Sequence, residues 1–504
     1  MAMNIAMALE MAADSHPDRI AVTSGDARMT CGALLAAART AGAAVRAAGV
    51  RYLGLLDINS LAVPVALYAA AYAGVPYVPI NYRLTGPELE ELLARIAPAL
   101  LIADPSYVKP LALPAGLQVR SSQEFLALAR SGGEALTAPA GEPQDIAIQL
   151  FTSGTTGKPK AAVLRHENLM SYILGTVEFD AATEDDAVLI SVPPYHIAGI
   201  SAVLSSTYAG RRMVQLPNFD AAAWLRLCRE ENVSNAFVVP TVLARVIDHL
   251  DRAGEAAQLP ALRAIAYGGG KMPLAVIEKA MQLFPGTGFT NAYGLTETSS
   301  TICVLDPEDH RIAAASDDPA VRRRLTSVGR PISTVEIEIR GEQGERLGAG
   351  QPGDIFVRGG QVAGEYLGLG SQLDEGGWFP TRDRGYLDAD GYLYLEGRAD
   401  DVIVRGGENI SPGEIEDVLL THPGVLDVAV VAMPDQQWGE TVAAAVVLKD
   451  GSHASAGELQ AWVRERLRSS RVPAAILFKD QLPYNEMGKI LRRVVRQDFA
   501  ARSH

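Results

Sequence analysis

Cysteine is scarce in this chain, basic charge is not in surplus, and no apolar run is long, and each lack removes a class of protein. Cys31, Cys228 and Cys303 are the three cysteines among 504 residues. They lie far apart with no CxxC spacing, so neither a disulfide framework nor a zinc site is supported, and a reducing cytoplasm is the expected compartment. Lysine and arginine number 45 against 59 acidic residues, a net charge of −14. That balance excludes a nucleic-acid coat and a general binder of anionic membranes. The longest apolar run, residues 61–75, is too short to span a bilayer and contains Pro64, so it reads as a buried helix with no transmembrane segment expected. Glu10, Asp14 and Asp18 fall within the first helical pattern, unlike a signal peptide. With 47 glycines, 29 prolines and no fixed-period repeat, no low-complexity class applies.

What remains is a globular chain, 48% hydrophobic and 21% charged, long enough for more than one domain. Residues 4–50 read as two helices around a short β element. Strand, helix, strand order then repeats through "YLGLLDINS", "LAVPVALYAAAYAGV", "PYVPINYRLT" and "ELEELLARIAPALLIAD", which predicts a mostly parallel sheet covered by helices on both faces. Further units carry small-residue turns at strand ends, "YGGGKMP" and "NAYGLTET" among them, and in open α/β sheets ligands bind at that edge. From about Ser327 the pattern changes to short alternating strands separated by turns such as "DADG", an antiparallel sheet or small barrel. Beyond Arg398 helix and strand mix again. The charged dipeptide Asp400-Asp401 is the best candidate boundary, giving domains at residues 1–399 and 400–504.

The stretch that organises the rest is Phe151-Thr152-Ser153-Gly154-Thr155-Thr156-Gly157-Lys158-Pro159-Lys160, between "DIAIQL" and "AAVLRHENL". Two glycines let successive N–H groups converge on one anion, four hydroxyls add donors, and Lys158 and Lys160 add positive charge. This is a phosphate cradle. It is not the GxxxxGK[ST] loop, because it ends in Lys-Pro-Lys and a helix cannot start straight through Pro159. The competing reading is a polar hairpin with solvated lysines.

"TSGTTGKPK" resembles the signature loop of the adenylate-forming superfamily, which includes acyl-CoA synthetases, peptide-synthetase adenylation domains and luciferases. The resemblance runs essentially the whole length of the chain. It implies an α/β fold: a large N-terminal domain of mostly parallel sheets with a small β-rich subdomain, then a mobile α+β C-terminal domain turning on a hinge at Asp400. "NAYGLTET" resembles the family's magnesium and adenylate turn, which implies nucleotide contacts for Asn291, Ala292, Tyr293 and Gly294, with Tyr293 near adenine, Thr296 at the α-phosphate and Glu297 holding Mg²⁺. A hard cation takes carboxylate and phosphate oxygens, so a Glu beside a phosphate loop makes chemical sense. Gly269 and Gly270 of "YGGGKMP" look like the segment against the purine and the acyl pocket. Asp383 and Arg398 match the ribose-gripping pair, and Lys489 of "EMGKI" matches the mobile catalytic lysine.

The reaction so implied has two halves: a carboxylate and ATP give an acyl-adenylate and pyrophosphate, then the thiol of coenzyme A displaces AMP. By resemblance, His196 gates the thiol, and Gly406, Gly407 and Trp438 line the pantetheine tunnel. Arg464, Arg466, Arg468 and Arg471 form a basic set suited to the phosphates of CoA. Three positions depart from the usual pattern: Ala161 and Arg382 where relatives have glycine, and Lys271 where an alanine is more usual. The pocket expected from Ile197, Ala198, Gly199, Val239, Thr241, Gly269, Gly270, Ala292 and Ile302 is apolar with small members. It fits a hydrophobic acid, fatty or aryl, and Ala292 in place of an arginine argues against a dicarboxylate. The alternative is a stand-alone adenylating enzyme that loads a carrier-protein phosphopantetheine, but such enzymes carry an inserted segment for which residues 362–378 leave no room.

Overall fold

The computed structural model describes residues 3–152, 159–254, 256–398, 401–484 and 490–501. Among these residues the strands form four sheets. The nine-stranded sheet has a parallel centre of Gly288–Leu295, Ala264–Gly268, Asn235–Val238, Ala187–Ile190, Arg212–Gln215 and Ile20–Ser24, with antiparallel strands at both edges. An eight-stranded sheet is parallel from Ile146–Thr152 through Leu117–Arg120 and antiparallel on the other side, where Lys160–Arg165 and Glu365–Tyr366 continue it. The parallel prediction holds for the centres. Where an edge strand follows its neighbour through a hairpin, as Ala27–Thr30 follows Ile20–Ser24, the connection is too short for a crossover and the pair is antiparallel.

Helix Ala62–Ala73 is buried at every residue, as its unbroken apolar run demands. It lies in a hydrophobic cluster that draws Leu53 and Ile148 from one large sheet and Val188, Ile190 and Met213 from the other. A second cluster covers the opposite face of the nine-stranded sheet with helices Ala221–Glu230, Pro240–Ala253 and Leu274–Leu283. Among the described residues no helix is long and apolar enough to cross a membrane, and the three cysteines are buried and free.

The alternating stretch after residue 327 is an antiparallel four-stranded sheet, Val335–Arg340, Gly353–Gly359, Phe379–Leu387 and Leu393–Arg398. The C-terminal five-stranded sheet has its own hydrophobic clusters, whose members all lie at residue 403 or later. Its long hairpin, Val425–Asp435 against Gly439–Leu448, is covered by helices Pro412–Leu420 and Arg492–Ala500.

Candidate active site

The cradle is the loop of an antiparallel hairpin, Ile146–Thr152 paired with Lys160–Arg165. Ser153, Gly154, Thr155, Thr156, Gly157 and Lys158 lie outside the described residues, as do Asp400 and Lys489. The mouth of the hairpin is described. Thr152 stands opposite Lys160, and Arg95 braces its base by donating to the Pro159 carbonyl (2.8 Å) while its guanidinium lies over the Phe151 ring. Ala161 is buried and in register within the strand, and its carbonyl accepts from Leu367 N–H. A methyl group is therefore accommodated where the resemblance implies glycine.

Lys160 points its ammonium over the Tyr366 ring, 5.4 Å from the centroid, and the Tyr366 hydroxyl donates to Glu297 Oε1 at 2.5 Å. Tyr366 reaches this position because its strand adds to the hairpin, Tyr366 opposite Ala162. The hairpin mouth and the expected metal carboxylate are thus tied together by a residue absent from the sequence reading. Burial first, and the Glu297 charge second, push the Tyr366 hydroxyl far above its ordinary range, so it stays a proton donor.

Glu297 and Thr296 belong to a single 3₁₀ turn, Thr296–Thr298, at the end of Gly288–Leu295. Thr298 closes the turn by accepting from Leu295 N–H and donating to the Ser300 carbonyl, and Gln361 donates to the Thr298 and Thr301 carbonyls. Ser299 and Ser300 both have positive φ, and a Cβ on Gly294 would meet the Ser300 oxygen at 1.8 Å, so glycine is required there. Glu297 is 9% exposed, with Oε1 taken by Tyr366. The described residues hold no group of three or more metal-binding side chains. A cation here would have one protein carboxylate and take its other oxygens from phosphates and water, which is how Mg²⁺ is commonly bound.

Asp383 and Arg398 face each other across neighbouring strands and form an ion pair of 3.2 Å. The other oxygen of Asp383 accepts from Tyr293 at 2.6 Å, and Thr381 orders the turn by accepting from Asp383 N–H. Burial and the Asp383 charge hold the Tyr293 hydroxyl well above its usual range. Arg382, where the resemblance implies glycine, adopts the left-handed conformation (φ +63°) with its side chain exposed, so the backbone is of the glycine type despite the arginine. Asn291 is spent on the Ser327 carbonyl, 3.0 Å away, and acts as a brace.

His196 starts helix Ile197–Tyr208 and ends a row of rings, Tyr107, Tyr82, Tyr195 and His196, with centroids 4.5–5.5 Å apart. Ile302, expected in the pocket wall, is fully buried against the four-stranded sheet. Tyr293 pairs with Cys303 and Gly294 with Thr301, which makes Ile302 the extra residue of a bulge and turns its side chain away.

In the C-terminal domain Gly406 and Gly407 form the turn between Ile403–Arg405 and Glu408–Ile410, both with positive φ. Gly406 N–H donates to the Trp438 carbonyl, and a Cβ on Gly406 would meet the indole at 2.7 Å, so the expected tunnel residues do adjoin. The basic set is less free than its sequence suggests. Arg471 is paired with Glu408 and Glu414, and Arg466 lies over Trp462 and pairs with Glu465. Arg464 and Arg468 are exposed, and Arg466, Arg468 and Arg471 line a depression of about 630 Å³. Lys271 is not merely solvated. It forms a 2.6 Å ion pair with Asp417 of helix Pro412–Leu420, linking the turn that holds Gly269 and Gly270 to the C-terminal domain.

Residues 9–367 match the family described as AMP-binding enzyme, and residues 414–489 match the AMP-binding enzyme C-terminal domain. A feruloyl-CoA synthase from an Amycolatopsis species is 34% identical over 96% of both chains. An indoleacetate–CoA ligase from Aromatoleum aromaticum is 30% identical over 99% of both. The o-succinylbenzoate CoA synthetase of Bacillus subtilis, solved with its acyl-adenylate, superposes with a TM-score of 0.83 at 29% identity over 97% of each chain. The same enzyme solved with ATP and a magnesium ion gives 0.82 at 30% identity, covering 96% of this chain and 98% of that one.

Proposed function

This chain belongs to the AMP-binding enzyme family; it is an AMP-forming carboxylic acid–CoA ligase, and we propose that its two half-reactions are divided between the two ends of the site described above. The observation that supports this reading is the link from Lys160 through Tyr366 to Glu297, which joins the residue proposed to face phosphate to the carboxylate proposed to hold the metal.

In the first half-reaction the hairpin loop, with Thr152, Ser153, Gly154, Thr155, Thr156, Gly157 and Lys160, holds the outer phosphates of ATP. Glu297 would hold Mg²⁺, which when bound offsets phosphate charge. Tyr366 keeps the Glu297 carboxylate oriented. Asp383 and Arg398 hold the ribose hydroxyls, and Gly269 and Gly270 admit the purine. Thr296 and Lys489 stabilise the charge that develops at the α-phosphoryl group as the substrate carboxylate attacks.

The second half-reaction needs a different face. Residues 400–504 turn about Asp400 and bring the Gly406–Gly407 turn and Trp438 to the pantetheine path beside His196. The ion pairs of Asp401 with Arg492 and Arg496 support a hinge just ahead of it, because they tie Asp401 to the C-terminal helix. Arg464 and Arg468 supply charge for the CoA phosphates. The test is AMP and thioester formation with ATP, Mg²⁺ and hydrophobic acids, comparing CoA with a phosphopantetheinylated carrier protein as acceptor. Thioester on CoA supports the assignment. Thioester on the carrier alone would replace CoA by a protein acceptor.

A further inference from the structure

Immediately after Glu297 the backbone reverses through two strained residues. Ser299 and Ser300 sit at φ +55° and +116°, conformations that cost free energy and persist only where neighbours hold them. Thr298 braces the reversal from within, through Leu295 N–H and the Ser300 carbonyl. The Ser299 side chain gives no help, since it is fully buried and its Oγ has no partner among the described residues. What spans the reversal from outside is Gln361. Its Nε2 donates to the Thr298 carbonyl at 3.1 Å and to the Thr301 carbonyl at 2.8 Å, the two groups that flank the strained pair. Both amide protons are thereby spent, and Oε1 accepts from the Thr334 hydroxyl at 2.8 Å. A fully buried amide engaged in this way cannot swing aside without leaving carbonyls dry and unpaired.

The chain around Gln361 shows what this brace serves. Ala363 N–H and Gly364 N–H both donate to the Glu297 carbonyl, at 2.9 and 3.0 Å, and the Tyr366 hydroxyl donates to Glu297 Oε1. Residues 361–366 therefore grip the backbone and the carboxylate of one residue, together with the reversal that follows it. The same segment is anchored on its other side to the cradle hairpin. Asn168, in helix His166–Thr176, donates to the Gly360 carbonyl at 3.0 Å, and Arg165, the last residue of strand Lys160–Arg165, forms a 2.7 Å ion pair with Glu365. A strap thus runs from the exit of the hairpin to the turn of Glu297, and Gln361 is where it crosses the strained reversal.

We propose that Gln361 is a positioning residue for the adenylation half-reaction: by holding the reversal it fixes where Thr296 and Glu297 stand when Mg²⁺ and ATP are bound. Buried as it is, Gln361 acts only through the turn. Without the two bonds the Thr298 and Thr301 carbonyls lose their donor, the strained residues relax, and the carboxylate moves with them. A displacement of about 1 Å in a group that positions the reaction costs about a hundredfold in rate at the extreme. Thioester formation consumes an adenylate already made, so it is spared. This inference rests on the ligase assignment.

The test uses the full-length enzyme with ATP, Mg²⁺, CoA and whichever of octanoate and cinnamate the wild type turns over faster. In Gln361→Met, which keeps the volume and removes the donors, pyrophosphate release should fall about thirtyfold and the Mg²⁺ concentration for half-maximal rate should rise several-fold. Thioester formation from supplied acyl-adenylate and CoA should change by less than about threefold. Thr334→Val, which frees only Oε1, should give the same pattern with a loss of about threefold in pyrophosphate release. A general loss of fold lowers both half-reactions together and leaves the Mg²⁺ requirement where it was. Equal loss of both in Gln361→Met, or an unchanged Mg²⁺ requirement, therefore overturns the role of Gln361. If Gln361→Met does not fold, Thr334→Val decides: a loss confined to pyrophosphate release supports the role, and an unaltered rate overturns it. No AMP release by the wild type with these or other hydrophobic acids overturns the ligase assignment itself.

Discussion

The ATP side and the C-terminal side of this enzyme are built on opposite principles. Glu297 and Asp383 are each nine-tenths or more buried and each accepts a tyrosine hydroxyl, from Tyr366 and Tyr293. Across the domain boundary, Lys271 and Asp417 form an ion pair whose side chains are 47% and 55% exposed, and Trp438 is 44% exposed. Buried charge-assisted hydrogen bonds hold a geometry at a cost of several kcal/mol if half of the pair is removed, whereas an exposed pair is worth about 1 kcal/mol or less. The proposed ATP side is held by buried bonds. The contact across the domain boundary is weak enough to break, as the proposed rotation requires.

If the comparison is right, removing the metal carboxylate has the largest effect. Glu297→Ala should lower acid-dependent pyrophosphate release by about a thousandfold, with little recovery at high Mg²⁺. Strong recovery would show that the metal is held elsewhere. Gly407→Leu should lower thioester formation from supplied acyl-adenylate by about a hundredfold and pyrophosphate release far less, because a side chain must enter a backbone at φ +83° in the proposed thiol path. Tyr366→Phe should cost about tenfold in pyrophosphate release and raise the Mg²⁺ requirement, a loss of one charge-assisted bond. Lys271→Ala should change either half-reaction by less than about fivefold. A larger effect would mean that the ion pair does more than steady one orientation.

His166, buried beside Asn4 and Ile5 just after strand Lys160–Arg165, is held down to about 4 by its burial. The folded state keeps it neutral where the unfolded chain takes a proton. Its contribution is therefore present above the ordinary histidine range and is lost as pH falls from 6.5 towards 4, a span of roughly 3 kcal/mol. Denaturant unfolding between about pH 7 and pH 4.5 should show a drop in wild type that His166→Gln reduces. An unchanged drop would place acid sensitivity elsewhere.

Much of the fold was legible, since an unbroken apolar helix such as Ala62–Ala73 and the turn at Thr296–Thr298 are set by neighbours in sequence. What was not legible depends on pairing across long separations. Tyr366 finds Glu297, 69 residues away, through strand addition to the hairpin, and Lys271 finds Asp417 at a separation of 146 residues. Neither Tyr366 nor Asp417 lies in a motif. Ile302 was misread because a bulge breaks strand alternation. Arg471 belonged to a charge run whose acidic partners, Glu408 and Glu414, lie some 60 residues earlier.

The division of labour is tested most directly by Lys489→Ala, assayed for pyrophosphate release from acid and ATP and, separately, for thioester formation from supplied acyl-adenylate and CoA. The account predicts that the first reaction is abolished and the second is retained. Equal loss of both would contradict it.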